Sequence, residues 1–190
     1  MKVVKSLVLS TIAGLSFLNA ANYNVDVSHS SVEFKVKHMM ISNVRGSFSD
    51  FKGKFEIDEK AKKFSSMQGT VQVASLSTKN AMRDKDLKSS NFFDVEKYPQ
   101  MHLKLLKQNG DTGTFELTIK NVTKVVNLDM EEISGPIKDP WGYTRMAYEM
   151  HGKINRKEFN MNFNKVLETG GLLVGDIVKF DITVEGTQTK

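Results

Sequence analysis

The chain has 190 residues, 39% of them hydrophobic and 26% charged, with a formal net charge of +5. That length suits one domain whose core is large enough to fold unaided. It has no cysteine, which excludes disulfide staples, thiol chemistry and the acylated cysteine of a bacterial lipoprotein.

Residues 1–21 stand apart. Lys2 and Lys5 precede an apolar run from Ser6 to Leu18, and Asn19, Ala20 and Ala21 supply small residues for cleavage. That is the three-part layout of a secretory signal peptide, and the run is short for a permanent membrane helix. The expected product is an exported domain of residues 22–190. It has no second long apolar run, so no stable membrane insertion is expected. Without Lys2 and Lys5 the charge falls to +3. Export, and the mixing of lysines with acids in KGKFEIDEKAKK at residues 52–63, argue against nucleic acid as a partner.

From there the dominant pattern has period two, the signature of half-buried strands. Tyr23, Val25 and Val27 alternate with Asn24 and Asp26, then Val32, Phe34 and Val36 with Glu33, Lys35 and Lys37. Phe51, Gly53, Phe55 and Ile57 follow, then Met67, Gly69, Val71 and Val73. Residues 77–99 break the pattern and read as helical, with Thr78 as N-cap, Ala81, Met82 and Leu87 inward, and a second short helix from Asn91. Strands resume with Met101, Leu103 and Leu105, turn at NGDTG (residues 109–113), and continue with Phe115, Leu117 and Ile119. Val126, Leu128 and Met130, then Met146, Tyr148, Met150 and Ile154, then Val178, Phe180, Ile182 and Val184 complete the series. About eight or nine antiparallel strands with one apolar face each fit a sandwich or a closed barrel; closure removes exposed edges and favours the barrel.

The same parity sorts the histidines. His38 continues the inward row Val32, Phe34, Val36. His102 and His151 neighbour inward residues and point out, and His29 belongs to a turn with Ser28, Ser30 and Ser31. A zinc site needs three or four converging ligands, which one inward histidine does not supply, so no metal is expected. There is no G-x-S-x-G or H-E-x-x-H motif. Glu131 and Glu132 face opposite ways, and GGLLVGD (residues 170–176) lacks the Lys-Ser/Thr of a phosphate loop and reads as a hairpin connection. No catalytic residue and no cofactor follow from this chain. Trp141, the single tryptophan, reads as a loop anchor.

Five segments in order carry a resemblance: YNVDVSHSSVEFKVKHMMISNVRGSFSDFKGKF, STKNAMRDKDLKSSNFFDVEKYPQM, LTIKNVTKVVNLD, GKINRKEFNM and LLVGDIVKFDITVEG. The chain resembles the YceI-like, polyisoprenoid-binding family across its length beyond residue 21. The resemblance implies an all-β, extended antiparallel lipocalin-like β-barrel with an apolar tunnel, a long isoprenoid or similar amphiphile inside, and a periplasmic location. Asn121 and Asn160 stand where the family usually has glycine, and asparagine tolerates left-handed backbone.

The reading that follows is a binding or carrier protein for a long-chain lipid, polyisoprenoid, quinone-like or fatty-acyl. Its tail is expected against Phe34, Val36, Val71, Val73, Met101, Leu103, Phe115, Leu117, Leu128, Met130, Met146 and Met150. His38, Arg45 and Arg83 are candidates for its polar end, with an Arg83–Asp84 salt bridge as the plainer role for Arg83. Met82, Phe92 and Phe93 are expected to cover one mouth. A lipid-modifying hydrolase or isomerase using the same cavity, and a ligand-free envelope interaction module, are the competing readings. A homodimer is compatible with the sequence, though nothing in it requires one.

Overall fold

Alternation in the sequence becomes strand almost run for run. The computed structural model describes residues 20–168 and 170–189. The segment expected to be a signal peptide lies outside the described residues, except that Ala20 and Ala21 open the first strand. The strands are β1 (Ala20–Val25), β2 (Ser31–His38), β3 (Ser42–Phe48), β4 (Phe51–Asp58), β5 (Lys63–Gln72) and β6 (Leu76–Ser77). They continue as β7 (Gln100–Asn109), β8 (Thr112–Ile119), β9 (Val122–Lys138), β10 (Thr144–Asn155) and β11 (Val174–Gln188). No helix of the described residues is long and apolar enough to cross a membrane.

The order β1-β4-β5-β7-β8-β9-β10-β11 closes on itself, because β11 pairs back with β1. The result is an antiparallel eight-stranded barrel, as expected. β11 is 15 residues long, and its two ends serve different partners. Gly186, Thr187 and Gln188 pair with β1, while Val174 to Thr183 pair with β2. A 3-10 turn at Val27–His29 separates β1 from β2, capped by Asp26, whose Oδ1 accepts from Ser28 N at 3.0 Å. β2 then carries β3 and the two-residue β6 beyond the closed ring. β3 was not legible as a strand, since Ser42, Asn43, Arg45 and Gly46 blur its alternation. Its pairing with β2, residue for residue from Val32↔Phe48 to His38↔Ser42, holds it extended.

The helical insertion is shorter than the sequence suggested. Only Ala81–Lys88 forms a helix, α1, and its N-cap is Asn80, which accepts from Arg83 N at 3.0 Å. Residues 91–93 form turns rather than a second helix, tied back by Phe93 N to Leu87 O and Asp94 N to Ser89 O. Asn121 and Asn160 both adopt left-handed backbone, with φ of 61° and 59°, so asparagine preserves the turns. Gly110, with φ of 58°, makes the expected turn between β7 and β8. Of residues 170–176, 170–173 lead into β11 through a turn and the single bridge Val166↔Leu172, and 174–176 already belong to β11. Trp141 is not an anchor: it is 78% exposed. Asp139 fastens that turn instead, accepting from Trp141 N at 3.0 Å and Tyr143 N at 2.9 Å.

The interior is solid at one end. There Tyr23 stacks on Phe55 with centroids 5.0 Å apart, and Tyr148 packs edge-on to Phe55 and Phe64 at 5.1 and 4.9 Å. Phe115, Leu128, Met130, Met146 and Met150 belong to the same cluster. A smaller one, Ile119, Ile154, Phe159 and Met161, lies elsewhere in the interior.

Candidate functional site

Bordering both clusters is a cavity of about 200 Å³. It is carbon-lined, and its walls come from inward positions of β2, β4, β5, β7, β8, β10 and β11. Val32, Phe34 and Val36 form one wall, Val71, Met101, Leu103 and Leu117 another, and Val178, Phe180 and Ile182 a third. Gly53 and Gly69 face each other across β4 and β5 within the lining; the absent side chain leaves room at Gly69, whereas a Cβ at Gly53 would lie 3.0 Å from Val25 Cγ2. Leu87, Phe92 and Phe93 close over it from the insertion.

The predicted ligand-facing residues divide in two. Phe34, Val36, Val71, Phe92, Phe93, Met101, Leu103, Leu117 and Met150 come together in the lining. Phe115, Leu128, Met130 and Met146 are inward but sit in the solid end, each 2% exposed or less and outside this lining. Parity assigns the face of a residue, not its level along the barrel axis. Val73 is buried in the 3-10 turn Val73–Ser75, past the end of β5.

The expected polar candidates lie away from the cavity. His38 is outside the lining, opposite Ser42 and Val174. Between Val36↔Val178 and His38↔Val174 two steps of β2 span four of β11, a bulge that redirects the wall there. Arg45 is exposed on the outer face, because Val44 and Gly46 take the inward positions. Met82 is 85% exposed, since the inward side chain of α1 is Leu87. Arg83 fastens the insertion, though not through Asp84. Its Nε donates to Thr78 Oγ1 at 2.7 Å and its Nη2 to Thr78 O at 2.9 Å. Thr78 Oγ1 in turn donates to Asp84 Oδ1 at 2.5 Å.

Among the polar residues bordering the cavity that the sequence reading did not single out as ligand-facing, Tyr148 and Arg156 are the buried ones. Burial pushes the Tyr148 phenol up, so it stays neutral. Arg156 is 2% exposed. It donates through Nε to Gly175 O at 2.9 Å and through Nη1 to Met161 O at 2.5 Å. Burial lowers its pKa, partly offset by Asp176, and its donors are engaged in holding the loop before β11. The signal was available in GKINRKEFNM: a lone arginine between inward Ile154 and Phe159.

Outside the barrel, Asp26, His29 and Glu185 offer three possible metal ligands within 4.8 Å of one another. A protein cation already occupies that position. Arg145 Nη1 donates to Asp26 Oδ2 at 2.7 Å and Glu185 Oε1 at 2.6 Å, and its Nε to Asp139 Oδ2 at 2.7 Å. His29 Nδ1 also meets Asp26, at 3.1 Å. The group pins the β1–β2 turn to β10 and β11.

The family model for the YceI-like domain matches residues 23–186. The chain belongs to the YceI-like family. A UPF0312 protein of Photorhabdus laumondii is 38% identical over 168 residues, covering 83% of this chain and 87% of that one. The crystal structure of the Campylobacter jejuni YCEI protein has a TM-score of 0.67 at 31% identity, covering 82% of this chain and 91% of its own. A polyisoprenoid binding domain from Saccharophagus degradans, implicated in plant cell wall breakdown, shares the fold at 13% identity. Its TM-score is 0.63, and the match covers 88% of this chain and 98% of that one.

Proposed function

We propose that this YceI-like protein is an exported, periplasmic binding protein that holds the tail of a long-chain lipid, an isoprenoid or a similar amphiphile, as carrier or store. The observation that carries this is the carbon-lined cavity of about 200 Å³ inside a closed barrel. Each buried methylene contributes about 0.8 kcal/mol, so a ten-carbon stretch contributes ~8 kcal/mol before the costs of association. Shape and apolarity select a tail, and Phe92 and Phe93 shelter it from water. The Saccharophagus degradans neighbour, a polyisoprenoid binding domain, supports an isoprenoid as the first class to test. The signal-peptide layout of residues 1–21 supports export.

The test is mass spectrometry of organic extracts from protein purified without detergent, together with uptake of a labelled isoprenoid alcohol. A recurring long-chain lipid and saturable uptake are expected. Empty extracts with no uptake would overturn the reading in favour of a ligand-free module. Turnover of a bound lipid would replace it with an enzyme.

A further inference from the structure

The outer face of the barrel sorts its charges into rows. Lys153 of β10 stands opposite Lys179 of β11, Lys179 opposite Lys35 of β2, and Lys35 opposite Arg45 of β3. Strand alternation puts all four on the outside; three are exposed and Lys35 is half-buried. Like charges directly opposite one another weaken a ladder. None of the four joins an ion pair among the described residues. One step along the strands the neighbouring row is His151, Asp181 and Glu33.

In the opposite direction the hairpin between β2 and β3 ends in apolar side chains. Met39, Met40 and Ile41 are 39%, 57% and 81% exposed. The loop beside them adds Val166, 74% exposed, and is joined to the tip through Met39 N to Leu173 O at 2.8 Å. Lys37 and Lys165 flank this apolar tip, and Glu168 is the acid carried by the same loop. Val36 and Val174, which line the cavity, lie on the strands just before the tip.

We propose that the β2–β3 tip and the cationic row behind it form a docking surface for an anionic lipid bilayer. Apolar side chains on a projecting turn, backed by unpaired lysines and arginine, match a bilayer's interface and its negative surface together. Charge complementarity identifies the occupant: four cations in register meet no acid on their own row. Lys35 lies ~13 Å along the strand from Met39, beyond a Debye length of ~8 Å. Upright insertion of the tip would leave the row screened from the headgroups and idle. An oblique approach lowers Arg45 and Lys179 to the headgroups, while Asp181 and Glu33 keep the wall from lying flat. This surface goes beyond the lipid-tail reading, and the docking does not depend on what fills the cavity.

The test is co-sedimentation of the mature protein with phosphatidylcholine vesicles, with and without phosphatidylglycerol. Binding only to the anionic vesicles is expected, with loss at about 1 M salt, where screening acts within ~3 Å. Arg45→Glu with Lys179→Glu, and separately Ile41→Asp, should each lower partitioning roughly tenfold or more. Thermal unfolding verifies that these surface variants remain folded. Equal binding to neutral vesicles, no binding to anionic ones, or binding that survives both variants would overturn the proposal. So would a dimer that Ile41→Asp dissolves, because a second copy would then cover the patch.

Discussion

Phe92 and Phe163 pack with ring centroids 5.2 Å apart and planes tilted by 55°. Phe92 belongs to the turns after α1, and Phe163 to the loop that precedes β11. Their contact joins the two irregular segments on the cavity's open side. A barrel with one solid end then has a cover made of side chains rather than of a strand.

Truncating that contact should loosen the cover. Phe92 is 5% exposed, so Phe92→Ala is expected to cost about 3 kcal/mol in urea unfolding. Phe163 is half-buried, and Phe163→Ala should cost about 1–2 kcal/mol. The pair should be non-additive, since either change removes the shared contact. Both variants should release a fluorescent fatty-acyl probe faster than the parent. Equal release rates would mean the cover does not gate exchange.

Arg156 should be intolerant even of lysine. Its planar guanidinium reaches Gly175 O and Met161 O at once, and a lysine ammonium cannot reproduce that fork. Arg156→Met leaves buried carbonyls unpaired and should cost about 3 kcal/mol. Limited proteolysis should then cut first within residues 162–173, because those hydrogen bonds hold the loop against β11. Unchanged cleavage would show that the loop is held by packing alone.

The hollow and solid ends should respond differently to added volume. A Cβ at Gly69 would meet only Lys52 O, at 3.8 Å, and the residue lines the cavity. Gly69→Val is expected to fold normally and to lower probe uptake severalfold. A Cβ at Gly186 would lie 2.5 Å from the Phe55 ring. Gly186→Ala should cost about 1–3 kcal/mol through overpacking and leave uptake unchanged in the folded fraction. Paired melting and uptake measurements on both variants check this.

What the sequence disclosed, and what it withheld, follows from the range of each signal. Period-two alternation is local, so the strand walls and the inward rows of Phe34, Val36, Leu103 and Leu117 could be read directly. Axial level is not local. Phe115 and Leu117 share a strand and a face, yet one is in the packed end and the other lines the cavity, because opposing side chains from other strands decide which level fills. Helical amphipathicity failed for α1, whose exposed Met82 and inward Leu87 make no continuous stripe. Arg156 was missed because a buried arginine is recognised by its partners, one of them a carbonyl of β11 that lies 19 residues away. Asp26 caps the neighbouring turn through a local contact with Ser28 N, but its strongest partner, Arg145, lies 119 residues on.

Arg145 also sets the pH response. The hydrogen bond from Arg145, then that from His29, holds the Asp26 carboxyl at about 2, against an ordinary 3.8. The folded value lies below the unfolded one, so this contribution is present above about pH 4 and is lost as pH falls through about 2. His151 behaves in the opposite sense. Its hydrogen bond to Asp181, at 2.8 Å, raises its pKa against the opposing effect of burial. That contribution is complete below about pH 6.5 and is lost as pH rises through the raised folded value. Stability should therefore decline on both flanks when urea unfolding is followed from about pH 2 to about pH 9. Asp26→Asn should lower stability at neutral pH and flatten the acid flank, and His151→Gln should flatten the flank above neutrality. An acid flank as steep in Asp26→Asn as in the parent would place the acid sensitivity in another carboxylate and reduce the Arg145 cluster to a geometric fastening.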